Sequence, residues 1–477
     1  MTRQYQLASV LLPQGWTQNA LITVAEDGYI SAIQHSGAPP RDLSTSGPAA
    51  PSAAAAPEQI DGIVVPGMPN GHSHAFQRGM NGNTEYRLSS RDSFWTWRQA
   101  MYTLANRIQP ADLQILATQL FIEMLKAGYT SVAEFHYLHR PPDGGQYPGD
   151  NALWAATAEA AAVTGIGLTF LPTLYQTSDF GAQPLKKQQA RFATDTEYFL
   201  RAVEHRLDAE RRGAPATRRT GVAFHSLRAV PLDTLRHVAQ ALRVMDPTLP
   251  LHIHVSEQIK EVEACMAHTG RRPIELLLDT GLLDEHWCLV HATHANLAEM
   301  KGMAASNAVV CLAITTEANL GDGFFDAARF LKYGGRLCVG SDSQATVSPA
   351  EELRWMEYQQ RLRKRRRGVL ADARESHAGT RLWRDAALHG AQALGQRTGE
   401  ISIGHRADWL VLDRDHPTMV GAPVENALDH VVFAGGDAAI RDVMVGGRWV
   451  VKARHHAAEV PLQGEFSQLM HRLASAP

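Results

Sequence analysis

A chain of 477 residues is longer than one hydrophobic core usually organises, which predicts a barrel with a satellite domain. Hydrophobic residues at 44%, charged residues at 20% and a formal net charge of −3 give no bulk electrostatic reason to bind nucleic acid or an anionic membrane, so the expected partners are small molecules. No stretch approaches the roughly 20 apolar residues that span a bilayer, and the N-terminus lacks a signal-peptide core; a cytoplasmic location is expected.

The opening segment reads as strand. LITVAEDGYISAI alternates apolar and polar residues on both sides of Asp27-Gly28, a strong hairpin signal. Residues 37–57, GAPPRDLSTSGPAAPSAAAAP, hold too little apolar surface to offset their ordering entropy and are expected to form a mobile surface loop.

From Gly67 the pattern changes to short apolar strands alternating with helices. QPADLQILATQLFIEMLKAGYTSVAEFHYL places Pro110 at a helix start, Gly128 at its stop and a strand from Thr130. With the strand leading into His72, and those at GIGLTFLP, GVAFHSL, LHIHV, WCLVHA, AVVCLA and RLCVGSDS, the count reaches eight. The expected fold is α/β: a (β/α)8 TIM-like barrel, with its chemistry where strands end and βα loops begin. GEISIGHRADWLVLD and DVMVGGRWVVKA then return to strand character. Neither terminal segment has enough strands to bury a face alone, so both are expected to build one small β-sandwich. The predicted division is 1–66 and 396–477 for that unit and 67–395 for the barrel. Cys265, Cys288, Cys311 and Cys338 form no CxxC pair and are expected to be reduced, buried thiols.

Residues i and i+2 of a strand face one side, so His72 and His74 can both project into the barrel mouth and take two positions on a metal ion. Alone, the pair also suits two ordinary polar residues. HIHVSEQ offers His254 as a third ligand, with His252 deeper in the barrel as a hydrogen-bonded histidine, and Glu257 able to turn back over the metal and handle protons. VHATH offers His291 as a catalytic or supporting group and His294 in the loop. VGSDS offers Asp342 as a ligand that also bonds the metal's water, or as a helix cap. Every one of these groups falls at a C-terminal strand end, and together they make the metal reading. The fourth strand, VAFHSLR, has no lysine to bridge a second metal, so one divalent ion is expected. Mixed imidazole and carboxylate ligation suits Zn2+, with Fe2+ or Mn2+ left open.

GHSHAFQRGMNG, WRQAMY, EFHYLH, FHSLRAV, HIHVSEQ, VHATH and VGSDS resemble the motifs of the amidohydrolase superfamily, and within it of the N-formimino-L-glutamate deiminases. The resemblance implies hydrolysis of N-formimino-L-glutamate to N-formyl-L-glutamate and ammonia in histidine breakdown. It implies substrate contacts from Gln77, Arg98, Tyr137, His225 and Arg228, where the planar arginine fork suits the substrate's two carboxylates. It also implies a homodimer, which the base rate for soluble oligomers favours too. Catalysis would fall to Glu257, His291 and Asp342. The competing readings are a related deaminase acting on a purine- or pyrimidine-type aromatic amidine, a barrel used as a non-catalytic scaffold, and RNA binding through RLRKRRRG at 361–368. That last run more often forms the solvated face of a helix.

Overall fold

The computed structural model describes residues 2–35, 56–85, 93–148 and 151–475. Most of the loop expected at 37–57 lies outside the described residues. The chain opens with β1 (Arg3–Leu12), β2 (Gly15–Val24), β3 (Ile30–His35) and β4 (Glu58–Pro66). β2 and β3 are the expected antiparallel hairpin, turning at Asp27-Gly28.

Met68 begins the barrel. Its strands are β5 (Met68–Ser73), β6 (Tyr129–His136), β7 (Gly167–Leu174), β8 (Arg218–Thr220) with β9 (Val222–Phe224), β10 (Leu251–Val255), β11 (Trp287–His291), β12 (Val309–Leu312) and β13 (Arg336–Val339). All pair in parallel around the sheet. The fourth position is split at Gly221, where a Cβ would lie 2.6 Å from the Leu171 side chain and 3.0 Å from the Pro250 carbonyl. The seam between β13 and β5 closes through a parallel bridge from Ser73 to Asp342, and the Asp342 amide donates to the His72 carbonyl at 3.0 Å. The helix Pro110–Ala127 starts on Pro110 and stops at Gly128 as its residues dictate. It buries Leu113, Leu116, Leu120, Phe121 and Leu125, each worth about 1.5–3 kcal/mol in apolar transfer.

After the barrel come β14 (Trp409–Leu412), β15 (Ile440–Val445), β16 (Arg448–Lys452) and β17 (His455–His456). They join the first four strands in one eight-stranded sheet ordered β17-β16-β15-β14-β4-β1-β2-β3, so the two chain ends build one β unit. One face gathers Tyr5, Leu7, Ile22, Val64, Trp409 and Met444 into its own core, while Leu410, Leu412 and Val443 on the other join the barrel's core. The sheet folds over until the hairpin tips touch, and a Cβ on Gly28 would lie 2.5 Å from the Gly446 carbonyl.

Only WLVL of GEISIGHRADWLVLD is a strand. The residues before it bond to the first hairpin instead: Ile30 donates to His405 and Ala407 to Gly28, both at 2.8 Å. Arg406 bridges Tyr29 in antiparallel fashion and is buried against Asp408, with Nε 2.9 Å from Oδ1. Three of the four cysteines, distant in sequence, meet inside the barrel: the Cys288, Cys311 and Cys338 sulfurs lie within 4.8 Å of one another. All four are free and buried. RLRKRRRG straddles the end of the helix Pro349–Lys364, and Arg361 there pairs with Glu357 at 2.7 Å.

Candidate active site

His72 at the end of β5, His74 just beyond it, and His254 near the end of β10 converge on one point. Their Nε2 atoms lie 3.1 Å (His72 to His74), 3.3 Å (His74 to His254) and 3.0 Å (His254 to His72) apart. Asp342 Oδ1 stands 3.3 Å from His72 Nε2 and 3.4 Å from His74 Nε2. Ligands held about 2.0–2.1 Å from a tetrahedral ion stand about 3.3 Å from one another, so this donor set fits one divalent cation. Carbonyls can only accept, so His74 Nδ1 donates to Phe135 and His254 Nδ1 to His225, each at 2.8 Å. Those bonds leave the Nε2 lone pairs free to face the common point. Burial pushes the His74 pKa down to about 3 and lowers those of His72 and His254, which keeps all three neutral. For Asp342 burial acts upward, but the contact with His72 and the positive charge of His291 outweigh it and hold the carboxylate below its usual range. His252 sits deeper, donating Nε2–H to the Ala393 carbonyl at 2.8 Å.

His291 stands beside this cluster, its Nε2 3.7 Å from Glu257 Oε1 and 3.8 Å from Asp342 Oδ2. Its Nδ1 meets Glu317 Oε1 at 3.3 Å. Burial pulls the imidazole down, yet Glu257, Glu317 and Asp342 together raise it to about 10. Burial raises the Glu257 carboxyl to about 7. The backbone here is strained: Ser256 (φ +52°), His291 (+69°), Ala292 (+50°) and Asp342 (+44°) all lie in the left-handed region, at a cost of roughly 1–3 kcal/mol each. Tertiary bonds hold it, such as Ala292 N–H to the Val255 carbonyl at 3.1 Å.

Above the cluster opens a narrow cleft. Gln77, Arg98, Tyr137, His225 and Arg228 all line it, beside His74, His254, Glu257, His291 and Asp342. Gln77 donates to the Tyr137 hydroxyl at 2.8 Å and leaves its own carbonyl oxygen buried without a partner. Arg228 is buried, and among the described residues its guanidinium has neither a carboxylate nor a hydrogen-bond partner. Arg98 likewise has no carboxylate partner among them; it lies 5.3 Å over the Tyr102 ring. A larger groove between Pro13, Pro66 and Arg381 is a poorer candidate, since Arg381 there already pairs with Asp372 at 2.8 Å.

Sequence reasoning missed Phe94, Trp97 and Met101, which also line the cleft. The run Phe94, Trp97, Met101, at steps of three and four along one helix face, with Arg98 four after Phe94 and three before Met101, was the available signal. Glu317 carried none, because only the tertiary fold brings it to His291.

Residues 63–450 match the model of the Amidohydrolase family. The chain is 46% identical to the formimidoylglutamate deiminase of Pseudomonas aeruginosa, over 97% of this chain and 98% of that one. A crystal structure of an amidohydrolase from Brucella melitensis superposes with a TM-score of 0.88 at 38% identity, covering 99% of this chain and 100% of the other. A zinc-bound adenosine deaminase from Xanthomonas campestris shares the fold at a TM-score of 0.78 and 20% identity, over 99% and 98% of the two chains. With a closed parallel barrel, its motifs at the strand ends and this degree of identity, the chain belongs to the amidohydrolase family, on its formimidoylglutamate deiminase branch.

Proposed function

We propose that the protein hydrolyses N-formimino-L-glutamate to N-formyl-L-glutamate and ammonia in histidine degradation, using one divalent metal ion per subunit, zinc in preference to iron or manganese. The observation that carries the substrate is the pair Arg98 and Arg228: two guanidinium groups without carboxylate partners among the described residues, in the cleft that also holds the histidine cluster. A substrate with two carboxylates supplies both counter-ions.

His72, His74, His254 and Asp342 would hold the ion, whose contribution is to bring the pKa of water from about 15.7 toward about 7. Asp342 takes the proton of the attacking water as its oxygen bonds the formimino carbon, while His291, raised to about 10 and so already protonated, orients that water. Glu257, raised to about 7 by burial, is balanced between acid and base at neutral pH and passes protons to the terminal nitrogen. Both water protons end on that nitrogen, which leaves as ammonia when its bond to carbon breaks. Gln77, Tyr137 and His225 enclose the reacting end.

The test is metal analysis of the purified protein together with ammonia release from N-formimino-L-glutamate, guanine, cytosine and adenosine. The reading expects turnover of the first alone; preference for a base would overturn the substrate and spare the metal. A homodimer in the cytoplasm belongs to the same reading, the dimer checked by molar mass from light scattering. Among the described residues no helix is long and apolar enough to cross a membrane.

A further inference from the structure

We propose that Gln189 is the positioning residue that sets Arg98 to receive one carboxylate of the substrate, an inference that rests on the substrate reading above. Gln189 is buried on the short helix Lys187–Phe192, in the loop that follows β7. Its Oε1 accepts from the Lys186 amide at 2.9 Å, which fixes which way the side-chain amide faces. Nε2 then donates to two hydroxyls, Tyr175 at 2.7 Å and Tyr102 at 3.2 Å.

Both tyrosines reach Arg98. The Tyr175 hydroxyl accepts from Arg98 Nη2 at 3.5 Å, and Tyr102, one turn further along the helix Phe94–Ala105, sets its ring 5.3 Å from the guanidinium carbon. Trp95 presents a second ring at 5.6 Å. The arginine is therefore aimed by rings and one hydroxyl, and Gln189 ties those supports across two separate βα loops. An arginine fixed before binding loses less rotamer freedom when the carboxylate arrives. The residue type matters: an amide has two N–H donors to give to the two hydroxyls, whereas a carboxylate here would draw the guanidinium to itself and compete with the substrate.

The experiment compares wild type, Gln189→Leu and Tyr175→Phe as metal-loaded enzymes. Each is assayed with N-formimino-L-glutamate and with its two analogues in which one carboxylate or the other is an amide. For both variants KM for the parent substrate is expected to rise about tenfold, a loss of about 1.4 kcal/mol, with kcat within about twofold. The rise should persist with one analogue and vanish with the other, which identifies the carboxylate that Arg98 takes. Tyr175→Phe keeps the ring and the packing, so it reads the same contact should Gln189→Leu fail to fold. Equal KM rises on all three substrates, or a fall in kcat with KM unchanged, overturns the positioning role while the substrate reading stands. A wild-type enzyme that turns over none of the three overturns both.

Discussion

The backbone amide of Asp342 donates to the carbonyl of His72 at 3.0 Å, and the His74 amide returns the favour to the Asp342 carbonyl at 3.2 Å. The seam that closes the barrel thus also sets the spacing of three proposed metal ligands. Substitution of the Asp342 side chain leaves that backbone seam in place, so Asp342→Asn should keep its circular dichroism spectrum while losing metal and at least about a hundredfold in turnover.

Metal removal should separate binding from folding. An ion that binds only the native state stabilises it by RT ln(1 + [L]/Kd), about 4.1 kcal/mol at a thousandfold excess over Kd. Chelation should therefore lower Tm by several degrees and abolish ammonia release, with both restored by added Zn2+. In His254→Ala neither chelator nor zinc should shift Tm. A wild-type protein stripped of metal yet unchanged in Tm and activity would refute the cluster.

Glu257 reaches the cleft as a carboxyl raised by burial, near His291 but outside the four-donor set. Glu257→Gln keeps the shape and removes the proton. Metal content should stay near one per chain while kcat falls by about 10²–10⁴. Loss of metal in this variant would mean that Glu257 is a ligand and that its proposed role is misassigned.

The parts of this site that strand periodicity governs were legible in the sequence. His72 and His74 two apart, His254 at a strand end and Asp342 after the last barrel strand need only alternation and the rule that barrel chemistry sits at C-terminal ends. Arg98, Arg228 and their neighbours were named only through family resemblance, since an arginine among aromatics reads equally well as surface. Glu317 and Gln189 were not legible at all: each acts through side-chain contacts that only the folded βα loops create, Glu317 with His291 and Gln189 with Tyr102 and Tyr175. Residues 400–407 misled for the opposite reason: their alternation is real, but their backbone bonds to the first hairpin, with Arg406 bridging Tyr29, instead of extending β14.

Arg228 should trade stability against binding. A buried guanidinium without a counter-ion is costly in the free protein, and replacement by an apolar residue of similar length removes that cost. Arg228→Met should therefore hold or raise Tm while raising KM at least about a hundredfold, equivalent to about 2.8 kcal/mol. Product binding by calorimetry should weaken in parallel. A variant that unfolds more readily and binds normally would show that the arginine serves the fold.

Glu352 offers a test of pH-dependent stability away from the chemistry. It lies on the helix Pro349–Lys364, fully buried, and accepts from the Ile314 amide at 2.7 Å, the Thr315 amide at 3.2 Å and the Thr315 hydroxyl. Burial outweighs those bonds and raises its pKa from the ordinary 4.5 to about 8. Because the folded pKa lies above the unfolded one, the folded state binds a proton that the unfolded state has released between these values. The stability this carboxyl contributes is therefore complete below about pH 4.5 and is lost as pH rises through 8, at up to about 1.4 kcal/mol per pH unit. Glu352→Gln cannot ionise, so urea denaturation from pH 5 to 8 should show the wild type losing stability relative to the variant as pH rises. Parallel curves across that range would mean that the carboxyl is ionised in the folded protein and that its three donors, not its burial, set its charge.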